Sequence, residues 1–193
     1  MSFDTLCNDI RSCTLCQDKL PLGPNPVFQI SPESRILIAG QAPGIRVHKT
    51  SIPFNDPSGD RLRQWLGIEK ELFYDPEKIA IVPMGFCYPG TGKGGDLPPL
   101  TKCSQTWHGK LLNYAEKIEL ILPIGIYAQR YYLKDMKKRN LTETVKNWQE
   151  YTPGILPLPH PSPRNNIWIK RNPWFESSVI PHLQQSVSSI LDL

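Results

Sequence analysis

A chain of 193 residues, 39% hydrophobic and 21% charged, is large enough to bury a core without disulfide staples and suits one domain over residues 1–193. No apolar run approaches the roughly 18 residues that cross a bilayer, and Met1–Asp9 has no apolar h-region of a secretory signal, so a soluble intracellular protein is expected. The net charge of +4 suits a polyanionic partner without demanding one.

In chain order, the Arg-Ile-Leu-Ile-Ala-Gly run over 35–40 predicts a buried first strand ending in a tight Gly/Pro loop. Asp56-Pro-Ser-Gly followed by Leu62, Trp65 and Leu66 at helical spacing predicts a helix over 57–67. A second strand is expected over 79–84, then a long Gly/Pro loop from Cys87 to Thr101. A helix over 105–116, a third strand over 119–123, helices over 125–134 and 141–150, and a short fourth strand over 154–158 follow. The last strand delivers the chain into His160-Pro-Ser-Pro-Arg-Asn165, and a final helix runs from about 173 to 191. Strands alternating with helices predict an α/β three-layer sandwich around a mostly parallel four-stranded sheet. The three punctuated loops, 40–54, 83–103 and 159–166, should meet at the carboxyl ends of the strands, where such folds place their sites.

Those loops carry the candidate chemistry. Gly40-Gln41-Ala42-Pro43-Gly44 leaves a buried strand with glycines at both ends, which allow a tight turn and close approach to a ligand; its backbone N–H groups suit an anion. Three prolines stiffen the loop around His160, Ser162 and Arg164. A histidine held at a strand end can donate to developing negative charge, and Ser162 and Arg164 suit phosphate, or, for Arg164, a base stack. Gly90-Thr-Gly-Lys-Gly-Gly95 is no phosphate loop, because no Ser or Thr follows Lys93 and Pro98-Pro99 forbids the following helix. Cys13 and Cys16 form a C-x-x-C pair, and Cys87 and Cys103 stand fifteen residues apart. Four thiolates suit either a structural zinc or an iron–sulfur cluster. Cys7 is left over. Twenty prolines, about one residue in ten against an average near 5%, flank the apolar runs as loop stiffeners.

Together the motifs resemble the uracil-DNA glycosylase superfamily, whose first motif is a Gly-x-x-Pro loop and whose second begins with His-Pro. Gly40-Gln-Ala-Pro-Gly44 is similar to the Gly-Glu-Ala-Pro-Gly of its thermophile-type iron–sulfur members. His160-Pro-Ser-Pro-Arg-Asn165 is similar to the motif of the single-strand-selective monofunctional enzymes. Cys13, Cys16, Cys87 and Cys103 reproduce the thermophile-type pattern that binds a 4Fe–4S cluster. The resemblance implies a monofunctional, cytoplasmic and nucleoid-associated monomer that excises uracil or a related damaged base flipped out of DNA. It assigns catalysis to His160 and to the backbone N–H of Gln41. The base would lie among Gly40, Ala42, Pro43, Gly44, Phe54 and Asn55, with Phe54 stacked on it. Ser162, Arg164 and Asn165 would hold DNA.

Four positions depart from the pattern. Ala42 stands where the best-known members carry an acidic water activator, and Gln41 replaces the thermophile-type Glu. Pro83 stands where many members place a uracil-reading Asn, which leaves Asn55 or backbone groups for that task. Gly44 is small where some relatives carry a thymine-blocking Tyr. These departures keep open a DNA-damage-binding protein with the glycosylase fold and little turnover.

Overall fold

The computed structural model describes residues 1–193. Five strands make up the fold's two sheets: β1 (Ile36–Ala39), β2 (Ile79–Ile81) and β5 (Leu120–Pro123) form the main one, and β3 (Thr91–Gly92) and β4 (Gly95–Asp96) form a small hairpin. The main sheet is parallel, in the order β2-β1-β5, with Ile36 paired to both Ile79 and Leu120. All four β1 residues are buried, as expected of a central parallel strand covered on both faces.

The period-2 alternation of β1 divides the core. Ile36 and Ile38 join Leu62, Trp65, Phe175, Leu183 and Val187 on one face, and Leu37 joins Leu6, Ile10, Phe86 and Leu111 on the other. The first face is covered by α3 (Pro57–Leu66) and the C-terminal α9 (Ile180–Leu191). The second is covered by α1 (Phe3–Arg11), whose Ser2 hydroxyl caps the Thr5 N–H, and by α5 (Gly109–Leu112). Between these lie α2 (Ile45–Thr50), α4 (Lys70–Phe73), α6 (Gly125–Leu133), α7 (Leu141–Lys146) and α8 (Asn166–Arg171). Single π-helical turns at Ser104–His108 and Phe175–Val179 lead into α5 and α9. No helix is long and apolar enough to cross a membrane.

The expected fourth strand is not present as one. Segment 154–158 lies parallel beside β5 but touches it only at two isolated bridges, Ile121 with Ile155 and Ile124 with Leu158. The reason is Pro123. Ile121 donates to the Gly154 carbonyl and Gly125 to that of Leu158, but Pro123, between them, has no N–H to donate. The ladder breaks where that rung is missing.

Other boundaries moved for local reasons. The helix expected over 105–116 ends at Leu112, that over 141–150 ends at Lys146 and gives way to a 3₁₀ turn, and 45–50, read as loop, is helical. The α3 boundaries agree, because Asp56 caps the Gly59 N–H at 2.9 Å, Pro57 opens the helix and Gly67 closes it at φ 69°. Phe175 is fully buried, in edge-to-face contact with Trp65 and Trp168. Phe175→Ala should therefore lower the unfolding free energy by about 3–5 kcal/mol in urea titrations.

Candidate functional site

The chain leaves β1 for β2 on one side and places β5 on the other, so the carboxyl end of β1 is the switch point of the sheet. The Gly40–Gly44 loop emerges there. It is fixed by the next loop: the Met84 N–H donates to the Gly40 carbonyl at 2.9 Å and the Gly85 N–H to that of Gln41 at 3.0 Å. These bonds extend the pairing of β1 with β2 past the last strand residue. The N–H groups of Gln41, Ala42 and Gly44 donate to no protein acceptor and remain available to a ligand.

Phe54 covers this loop. Its ring edge lies 3.4 Å from where a Cβ on Gly40 would stand, and its backbone adopts φ 54°, a left-handed conformation that costs an aromatic residue energy. Two contacts hold it there. The Tyr74 hydroxyl donates to the Pro53 carbonyl at 2.9 Å, and the Gly59 backbone packs so tightly that a Cβ would lie 1.7 Å from the Phe54 carbonyl oxygen. The Asn55 side chain is half-buried and has no hydrogen-bond partner within the protein.

His160 follows the segment beside β5. Its Nδ1 accepts the Ser162 N–H at 3.2 Å, so the neutral ring carries its proton on Nε2. Burial lowers its pKa, and the carboxylates of Asp56 and Asp96 oppose the shift from nearby. The rest of the motif braces itself: the Asn165 amide donates to the His160 carbonyl at 2.7 Å, the Ser162 hydroxyl accepts the Arg164 N–H at 3.2 Å, and Arg61 donates to the Ser162 carbonyl.

The β3–β4 hairpin, read from sequence as a loose loop, joins the two motifs. The Gln41 side-chain amide donates to the Leu97 carbonyl at 2.9 Å, and one Asp96 oxygen lies 3.3 Å from the Cβ position of Gly44. On the other side the Arg164 guanidinium rests on Gly95, 2.5 Å from that residue's Cβ position. Arg164 is exposed yet in contact with the hairpin. Gly59 and Asp96 were missed in the sequence as site residues. Only the two-residue turn Lys93-Gly94 between glycines signalled the hairpin.

Pro83, at the position of the expected base-reading side chain, presents only its carbonyl, which His108 Nε2–H bonds at 2.8 Å. His108 is fully buried and stacked on Phe86. Trp148 is core, and Trp168 and Trp174 pack on Phe175.

The four candidate ligands come together. Cys13, Cys16, Cys87 and Cys103 line one cavity with Leu20, Phe86 and Trp107. Burial pushes the Cys87 thiol up to about 12, and the other three cysteines are near enough to add to the effect. No group of three or more His, Cys, Asp or Glu converges closely enough to hold a metal ion. Cys7 lies apart, on the buried face of α1.

An α/β fold with loops gathered at the switch point of a parallel sheet, one bearing a neutral histidine and one bare backbone N–H groups, is built to receive a group that develops negative charge. Residues 27–184 match the family model of the uracil DNA glycosylase superfamily, and the chain belongs to that superfamily. The family acts on DNA, and membership points to glycosylase chemistry. Cys13 and Cys16 precede the matched segment.

His108 makes a pH prediction. Burial lowers its pKa from 6.5 to about 4, so the unfolded chain takes up this proton first as pH falls. The stability tied to the neutral ring is complete above pH 6.5 and is lost between about 6.5 and 4. The loss is about 3 kcal/mol. Urea unfolding across that range should show it, and His108→Gln should flatten the dependence.

Proposed function

We propose that this protein is a monofunctional DNA glycosylase that hydrolyses the N-glycosidic bond of uracil, or of a related damaged base, flipped out of DNA. The state of His160 carries this reading. With Nδ1 occupied by the Ser162 N–H and the ring neutral through burial, Nε2–H is the one donor the imidazole has to offer. As the base–sugar bond breaks, electrons move onto the base and its O2 becomes anionic. A neutral N–H fixed by a stiff loop, together with the free Gln41 N–H, stabilises that oxygen without reorganising.

The other residues take supporting roles. Phe54 stacks on the everted base, a contact worth about 1–3 kcal/mol, from its place against Gly40. Asn55, with its free amide, reads the base edge in place of Pro83. Ser162 and Arg164 meet the DNA backbone, while Asn165 works from behind by holding the His160 carbonyl. Neither motif contains a lysine, which favours a monofunctional glycosylase over one with a Schiff-base lyase step. The enzyme acts as a monomer.

Cys13, Cys16, Cys87 and Cys103 would hold a 4Fe–4S cluster. Their fit rests on two observations. All four line one apolar cavity, and Cys13, Cys16 and Cys103 lie near enough to Cys87 to act on its thiol by charge, a set of four thiols of the kind such clusters take. When bound, such a cluster neutralises the thiolates and cross-links the N-terminal segment to the loop after β2. Purified protein should absorb in the visible and contain iron and sulfide in equal amounts. Cys87→Ser should lose both; zinc in their place would contradict the assignment.

The enzymatic reading is tested on a uracil-containing oligonucleotide followed by alkali cleavage. The wild type should release base, and His160→Ala should slow release about 100- to 1000-fold with little change in DNA affinity. Tight DNA binding without base release by the wild type would replace the enzyme with a damage-binding protein.

A further inference from the structure

The first motif holds no group able to take a proton from water, since Gln41 is an amide and Ala42 a methyl. Carboxylates nevertheless stand nearby. Asp56 and Asp96 both act on His160 by charge, and neither forms an ion pair. Asp56 is committed to its helix, where Oδ1 caps the Gly59 N–H at 2.9 Å. Asp96 differs. Its Oδ1 accepts the Thr91 hydroxyl at 3.1 Å, itself bonded to the Tyr88 hydroxyl at 2.6 Å, while Oδ2 reaches over Gly44 with no donor of its own. The carboxylate is thus anchored by one oxygen and offers the other to the Gly40–Gly44 loop. The Gln41 amide, by donating to the Leu97 and Asp96 carbonyls, holds the hairpin in that position.

We propose that Asp96, supplied by the β3–β4 hairpin, is the catalytic acceptor that orients and deprotonates the attacking water. The proposal rests on the glycosidase reading above. As the bond between the sugar C1′ and the base nitrogen breaks, its electron pair leaves on the base, whose O2 is held by His160 and the Gln41 N–H. The water oxygen bonds to C1′, and its proton passes to Asp96 Oδ2. That proton is later lost to solvent, and the base anion is protonated from solvent. Gly44 has a role here: any side chain at that position would meet the Asp96 oxygen, so the bare backbone makes room for the acid from the neighbouring loop.

The test is single-turnover base release at saturating uracil-containing DNA by wild type, Asp96→Asn, Asp96→Glu, Asp96→Ala and Asp56→Asn. Asp96→Asn keeps the acceptor for Thr91 and should fold and bind DNA as the wild type does, yet release base about 100-fold more slowly. Asp96→Glu should recover part of the rate. Sodium azide, a nucleophile with no proton to lose, should accelerate Asp96→Ala and form a sugar azide, and should leave His160→Ala unaffected. Asp56→Asn, which retains its cap, should stay within a few-fold of wild type. Wild-type rates in Asp96→Asn, or a loss confined to Asp56→Asn, would overturn the assignment while leaving the glycosylase reading intact. Failure of the wild type itself to release base would instead strike that reading.

Discussion

Two backbone hydrogen bonds determine most of what the site can do. Met84 and Gly85 donate to the carbonyls of Gly40 and Gln41, so the first motif is an extension of the sheet rather than a free loop. With the Gly40 and Gln41 carbonyls taken up by the segment after β2, the N–H groups of Gln41, Ala42 and Gly44 still have no protein acceptor. A peptide N–H left without a partner costs free energy in a dry interior, and a ligand oxygen that takes it up recovers that energy. The backbone thus prepays part of the stabilisation that the proposed reaction requires.

Around that fixed edge, each further element contributes rigidity. Phe54 is held at positive φ by Gly59 below it and Tyr74 behind it. The His160 ring is locked in one tautomer by the turn that follows it. The β3–β4 hairpin ties the two motifs together, with Gln41 bonded on one side and Arg164 packed on the other. Substitutions in this hairpin reach both motifs, although it is small and exposed. His108 provides a second brace by bonding the Pro83 carbonyl from within the core, at the position where a base-reading side chain was expected.

Much of this was legible in the sequence, because it rests on strong local signals. The apolar run 35–40 fixed the central strand, Asp56-Pro57 and Gly67 fixed both ends of α3, and the motif loops were marked by glycine and proline. The spacing of Cys13, Cys16, Cys87 and Cys103 marked them as candidate ligands of one group, and all four line one cavity. What stayed hidden depends on contacts distant in sequence. Nothing near Asp96 indicates that its carboxylate will lie over Gly44, fifty-two residues earlier, and Gly59 reads as an ordinary helix residue until Phe54 is seen above it. Pro123 misled in a different way. Within an apolar run it looks like part of a strand, and its missing N–H matters only once a neighbouring segment needs it.

The central claim is that one everted base places its O2 between two N–H groups, those of Gln41 and of His160 Nε2. A crystal structure with DNA bearing a 2′-fluorinated uracil nucleotide, which resists cleavage, addresses it directly. The account predicts O2 within hydrogen-bond distance of both nitrogens and the base ring parallel to Phe54. A base still stacked in the duplex, or an everted base whose O2 meets neither nitrogen, would contradict it.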